Sequence, residues 1–154
     1  MLPAHRLRSA ELVTGVDTLE RGRESFGRRA WGDAYVQLSA ADLQTPLGLD
    51  DLERLAAAAY LSGRDPDSEE IWGRAHKESL DRSDWARAAR CAFWLGITLN
   101  SRSERTKAGG WLARAERVLD ESGHECAERG WLLIPIGLQL YHDGDHARSS
   151  ATFT

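Results

Sequence analysis

Cysteine is scarce: Cys91 and Cys126 are the only two in 154 residues, and no CxxC spacing occurs. Two thiols cannot staple a chain of this length, so they read as the reduced thiols of an intracellular, cytoplasmic protein rather than as a disulfide framework. Lysine is as rare, with only Lys77 and Lys107, so nearly every cation is an arginine fork suited to pairing with carboxylates. The longest apolar run, Trp131 to Tyr141, contains Pro135 and Gln139 and falls far short of the ~20 residues a membrane span needs. At the start, MLPAHRLRSAELVTG offers no apolar stretch followed by a small-residue cleavage site, so it does not read as a secretory signal. Phosphate loops of the GxxxxGK[ST] and GxGxxG kinds are missing, as is the GxSxG of a nucleophile elbow. An excess of positive charge is lacking too. Twenty Lys+Arg against 24 Asp+Glu leave a net charge of −4, the wrong sign for a protein whose main task is to hold phosphate backbones.

What is present is ordinary for a globular chain: 42% hydrophobic and 29% charged residues, with a mean hydropathy of −0.49. A chain of this length suits one domain that buries roughly 68–70% of its unfolded surface. Residues 1–16 show no clear periodicity and read as a loosely ordered lead-in. Helix signals follow. Asp17 and Glu20 have capping-box spacing, and Ser83-Asp84 precede WARAARCAFWLGITLN, whose apolar residues recur at helical intervals. Breakers fall at Pro46 and Gly48, Gly63 and Pro66, Ser101–Ser103, Gly123 and Gly144. No segment alternates apolar and polar residues for more than a few positions, so the chain is predicted to be all-α, with about eight helices of ~10–18 residues.

The pattern repeats internally. Gly22, Ala56, Gly96 and Gly137 are small residues, each followed at the same intervals by a second small residue (Ala34, Ser68, Ala108, Ser149) and then a large one (Leu38, Trp72, Leu112, Phe153). Small residues at facing positions allow two helix backbones to approach closely, and the large one is expected to fill the gap to the next hairpin. These spacings resemble the tetratricopeptide repeat, with its W-x2-L-G-x2-Y…A-x3-F…P pattern, although two of the periods exceed 34 residues and the Trp and Tyr are replaced by Leu or Ala. Over residues 17–154 the resemblance implies a solenoid of about four antiparallel helical hairpins, with the last repeat truncated. The stretches RGRESFGRRAWGDAYVQLSAADLQTPLGLDDLERLAAAAYLSGRD, ARAARCAFWLGITL and KAGGWLARAERVLDE are further similar to the helical-repeat region of bacterial LuxR-type transcriptional regulators. That likeness implies a regulatory or sensing platform which reaches DNA only through a helix-turn-helix domain that this chain does not carry.

Clusters that suggest chemistry have simpler readings. His142-Asp143-Gly144-Asp145-His146 could hold a divalent cation, but it straddles a helix-to-helix turn and is expected to be a solvated reversal. His124-Glu125-Cys126 offers a thiol beside an imidazole with no third orienting group. Neither reads as catalytic, and no metal or cofactor is expected. Trp72 and Trp111 are expected in the core, and Trp31 at the first hairpin's turn. In tetratricopeptide arrays the first helix of each hairpin lines the concave surface. The resemblance therefore points to Arg23, Phe26, Glu53, Tyr60, Arg90, Phe93, Ile97, Asn100, Trp131 and Tyr141 as the partner-binding face. Mixed aromatic, Arg and polar side chains suit a protein or peptide partner. The alternative is a small molecule held in the concave groove. Direct nucleic-acid or membrane binding is not expected, and homo-oligomers fit either reading.

Overall fold

The computed structural model describes residues 4–123 and 125–153, with side chains from residue 15 onward except at residue 124. Eight helices follow one another: α1 (Ala4–Gly27), α2 (Trp31–Gln44), α3 (Leu49–Leu61), α4 (Asp65–Asp81), α5 (Trp85–Ser101), α6 (Arg105–Ser122), α7 (Ala127–His142) and α8 (His146–Thr152). Among the described residues there is no strand, and no helix is long and apolar enough to cross a membrane. Helical backbone begins at Ala4, within the aperiodic segment 1–16, whose side chains up to residue 14 lie outside the described residues. Asp17 does not cap a helix as its spacing suggests. It lies inside α1, where its carboxylate takes a hydrogen bond from Arg21 one turn on. Asp84, by contrast, caps α5 by accepting from the Arg87 N–H at 3.1 Å.

Five of the joints between helices use one repeated turn. A residue with positive φ stands seven positions after each first-helix small residue: Arg29 after Gly22, Gly63 after Ala56, Ser103 after Gly96 and Gly144 after Gly137. The next residue donates its N–H five positions back, Ala30 to Ser25, Arg64 to Ala59, Glu104 to Leu99 and Asp145 to Leu140, at 2.8–3.0 Å. Ser83, between α4 and α5, repeats the device, with Asp84 donating to Ser79 at 2.9 Å.

Close approach follows from the small residues. A Cβ at Gly22 would lie 2.8 Å from Leu38, and one at Gly96 would lie 2.8 Å from Leu112 and 3.3 Å from the Ala108 carbonyl. Gly137 lies beneath the ring of Phe153 in the same way. Leu38, Leu112 and Phe153 thus each seat on the glycine of their own hairpin, where the missing Cβ leaves room. The serines add a tie where Ala stands elsewhere: Ser68 Oγ donates to the Ala56 carbonyl at 2.9 Å, and Ser149 Oγ to that of Gly137 at 2.8 Å.

The chain divides into two compact units, Met1–Ala75 and His76–Thr154, with the boundary inside α4. In the first unit Leu38, Leu52, Leu55 and Ala56 are buried, and charged side chains tie the helices. Arg23 of α1 donates to Asp51 of α3 through Nε at 3.0 Å and Nη2 at 2.7 Å. Asp51 also accepts from Arg54 at 2.7 Å. Arg74 reaches Asp42 at 2.5 Å, and the Tyr35 hydroxyl donates to Asp67 at 2.7 Å while Arg64 lies over its ring. In the second unit Ala88, Ala89 and Ala92 of α5 pack with Ala115, Val118 and Leu119 of α6. Leu80, Trp85, Trp111, Cys126 and Leu132 close around that cluster.

Candidate partner-binding surface

Helical spacing places Arg90 and Phe93–Trp94 one turn apart on α5, and Glu128 and Trp131 one turn apart on α7. The two pairs meet. Arg90 Nη1 donates to Glu128 Oε1 at 2.8 Å, and the rings of Phe93 and Trp131 lie 5.8 Å apart. Trp94 completes the group, edge-on to Phe93 at 5.4 Å and to Trp131 at 6.5 Å. Phe93 is buried, Trp131 half-buried, and Trp94 is 37% exposed. A buried ring thus supports two indoles that reach the surface, beside a buried carboxylate already matched by its arginine. Large rigid apolar faces next to a neutralised ion pair can take an apolar or aromatic side chain without stranding a charge.

Of the residues the sequence singles out, Arg90, Phe93 and Trp131 are brought together here. Ile97 is half-buried and Asn100 exposed on the same helix α5. Tyr141 lies at the turn into α8, its ring 4.8 Å from that of His146. Arg23, Phe26, Glu53 and Tyr60 belong to the first unit. There the guanidinium of Arg23 is held by Asp51 and Glu20, and Phe26 packs edge-on against Trp31 at 5.2 Å, stapling the first hairpin. Burial pushes the Asp51 carboxyl up, but hydrogen bonds and charge from Arg23 and Arg54 outweigh it and hold it below the usual range.

Trp94 is a member that the family pattern passes over. Its signal is plain in hindsight: it sits four residues after Arg90, on the stripe that meets α7. His76 is the second residue missed. It occupies the place before the Ser83 turn that Gly or Ala holds before the other four, and its ring is 2% exposed. Nδ1 lies 2.8 Å from the Ala88 carbonyl, so the imidazole is held as the tautomer that donates there. Nε2 is buried and has no hydrogen-bond partner among the described residues. Trp111 meets the ring edge-on at 5.3 Å. Burial lowers the pKa of His76 from its ordinary value, with Arg114 adding to the shift and the Ala88 carbonyl opposing it.

Among the described residues no three His, Cys, Asp or Glu side chains converge to hold a metal, and Asp143 to Asp145 form the α7–α8 turn. Cys91 is buried and Cys126 half-buried, neither in a disulfide, while His124 lies outside the described residues. Trp72 is buried in the first unit, and Trp111 is half-buried against the α5–α6 core.

No family model matches the chain, and no curated protein matches it in sequence.

Proposed function

We propose that this chain is a non-catalytic binding and regulatory module, a tetratricopeptide-like solenoid of helical hairpins that receives a protein or peptide partner. The reading includes a cytoplasmic location and a sensing role like that of the helical region in LuxR-type regulators. Contact with DNA would be left to a separate domain. The observation that supports it most is the aromatic group of Phe93, Trp94 and Trp131 on α5 and α7, in which a buried ring backs two indoles that reach the surface. Recurrence of the same turn and the same small-residue contact supports the repeat architecture, since each hairpin of such an array buries itself against its neighbours.

Selection from a displayed peptide library, followed by mapping of bound peptide on the full chain by NMR, tests this reading. Trp94→Ala and Trp131→Ala are expected to weaken a selected peptide by about 1–2 kcal/mol each with the fold retained. Arg90→Ala is a poorer probe, because it strands the buried carboxylate of Glu128. Peptides that bind with shifts confined to other surfaces would refute the assignment. A small-molecule screen by thermal shift that finds a ligand at these rings, with no peptide selected, would replace the partner with a metabolite.

A further inference from the structure

The joint between α4 and α5 is filled the opposite way from the four others that use this turn. Seven residues before each positive-φ residue and nine after it, those four pair a small residue with a large one: Gly22 with Leu38, Ala56 with Trp72, Gly96 with Leu112 and Gly137 with Phe153. Counted from Ser83, the same places hold His76 and Ala92. The bulk here comes from the first helix, and it is a ring that can take a proton. The tie is reversed as well. Ser68 and Ser149 reach back twelve residues from the second helix to a carbonyl of the first, whereas His76 reaches forward twelve residues to the Ala88 carbonyl.

A neutral imidazole suits this site and a charged one does not. His76 is buried, its Nδ1 lies 2.8 Å from the Ala88 carbonyl, and its ring stands edge-on to Trp111 of α6. A second proton would go to Nε2, which is buried and has no acceptor among the described residues. Burying a cation without a partner is costly. The charges nearby give no relief. Arg114 of α6, whose guanidinium lies over the Trp111 ring at 5.3 Å, acts on the imidazole as a like charge. From α5 the ring meets the uncharged Ala88 carbonyl, and Arg87 is 3.2 Å from the Asp84 carboxylate. On α4 itself Lys77 is exposed and Glu78 pairs with Arg82.

We propose that His76 is a proton-operated latch within the second unit: once the imidazole takes a second proton the ring leaves its site, and the end of α4, residues 76–81, comes away from α5 and α6. Leu80, which packs on the Ala88–Ala92 cluster, leaves with it, so Trp111 and the alanine face are uncovered in acid and covered at neutral pH. The joint is suited to letting go, because α4 runs into Ser83, a residue other than glycine held at φ 57°. A freed ring takes its proton near the ordinary 6.5, and the seated ring resists it until lower pH. Opening should therefore rise roughly tenfold as pH falls from 7.5 to 5.5. The latch is independent of the binding-module reading and uses none of the aromatic group.

Hydrogen exchange of the full chain, resolved by NMR and corrected for the intrinsic effect of pH on the rate, reads the latch at the amides of Arg82, Ser83 and Asp84. These donate to the carbonyls of Glu78, Leu80 and Ser79. Their opening should increase roughly tenfold over that pH interval, while the matching amides of Ser62, Gly63 and Arg64 at the α3–α4 turn and those within α5 and α6 do not respond. His76→Gln, which can still donate to the Ala88 carbonyl but takes no proton, should abolish the response, and His142→Gln combined with His146→Gln should preserve it. The wild-type ring supplies a readout that needs no variant: protonation of His76 should coincide with loss of its contact to Trp111. An equal acid response at both turns, a response kept in His76→Gln, or a protonated ring still in contact with Trp111 would overturn the proposal. So would loss of protection in α5 and α6 together with the turn, since the whole unit would then be unfolding.

Discussion

The two units use the same turn and the same close-approach device and each has an apolar core, yet the ties added to that core differ. In the first, Arg23–Asp51 and Arg74–Asp42 link helices far apart in sequence, and Arg54 adds to Asp51 from within α3. In the second, alanine faces, rings and a buried imidazole dominate, with Arg90–Glu128 the ion pair that joins α5 to α7. Charged ties are directional and specify which helices meet, but their net worth is modest once desolvation is counted. Apolar contact is stronger per residue and less selective. The difference predicts that the units respond unequally to mutation, acid and salt, and hydrogen exchange read by mass spectrometry can follow each separately.

Gly96→Leu should have the largest effect. The added side chain has to displace Leu112 and press on the Ala108 carbonyl, at a cost of about 3 kcal/mol. Gly22→Leu is expected to do the same in the first unit, since Leu38 stands equally close. Thermal melts that match the wild type would mean the shared register is wrong. Next comes Arg23→Ala. It leaves Asp51 buried with only Arg54, and a loss of about 2 kcal/mol is expected. Faster exchange should appear in α1 and α3 and leave α5 and α6 untouched; equal loosening of both units would erase the contrast.

Acid separates the units in a stated order. His76 is buried neutral, its pKa below the ordinary 6.5, so below that pH the unfolded chain takes up a proton that the folded chain resists. The stability it lends is present above about pH 6.5 and declines as pH falls further. Asp51 is shifted down from 3.8, so its contribution persists until pH falls below that value. The second unit should therefore lose exchange protection first, and His76→Gln should remove that early step. Unchanged acid sensitivity in the variant would place its origin elsewhere. The smallest effect is expected for Tyr35→Phe, which deletes the partly exposed hydrogen bond to Asp67 and should cost about 0.5–1 kcal/mol.

Much of this was legible in the sequence, and the reasons are specific. All-helical structure follows from the periodicity, and the small residues at Gly22, Gly96 and Gly137 announce the close approaches because no other side chain fits there. Local chemistry was equally plain at Asp84. Three things were not legible. The start of α1 has no apolar rhythm, so its helix could not be seen. The target of Leu38 and Leu112 depends on which neighbour lies opposite, a fact of three dimensions that spacing alone leaves open. His76 was invisible because a polar residue in a helix reads as surface, and only its place before Ser83 marks it as the counterpart of a glycine. The partner surface is legible only in part, since pairing between Arg90 and Glu128 spans 38 residues.

The turns carry a consequence for how this protein could change. Three of the left-handed positions are filled by Arg29, Ser83 and Ser103 rather than glycine, and a side chain in that conformation costs roughly 1–2 kcal/mol. The α3–α4 and α7–α8 joints, built on Gly63 and Gly144, are free of that cost. A lineage or an engineer seeking a more stable molecule has three single substitutions to glycine at hand, none touching the core or the aromatic surface, each offset by the extra freedom glycine gives the unfolded chain. The chain therefore holds its reserve of stability at its joints, where it can be drawn on without altering what the helices present.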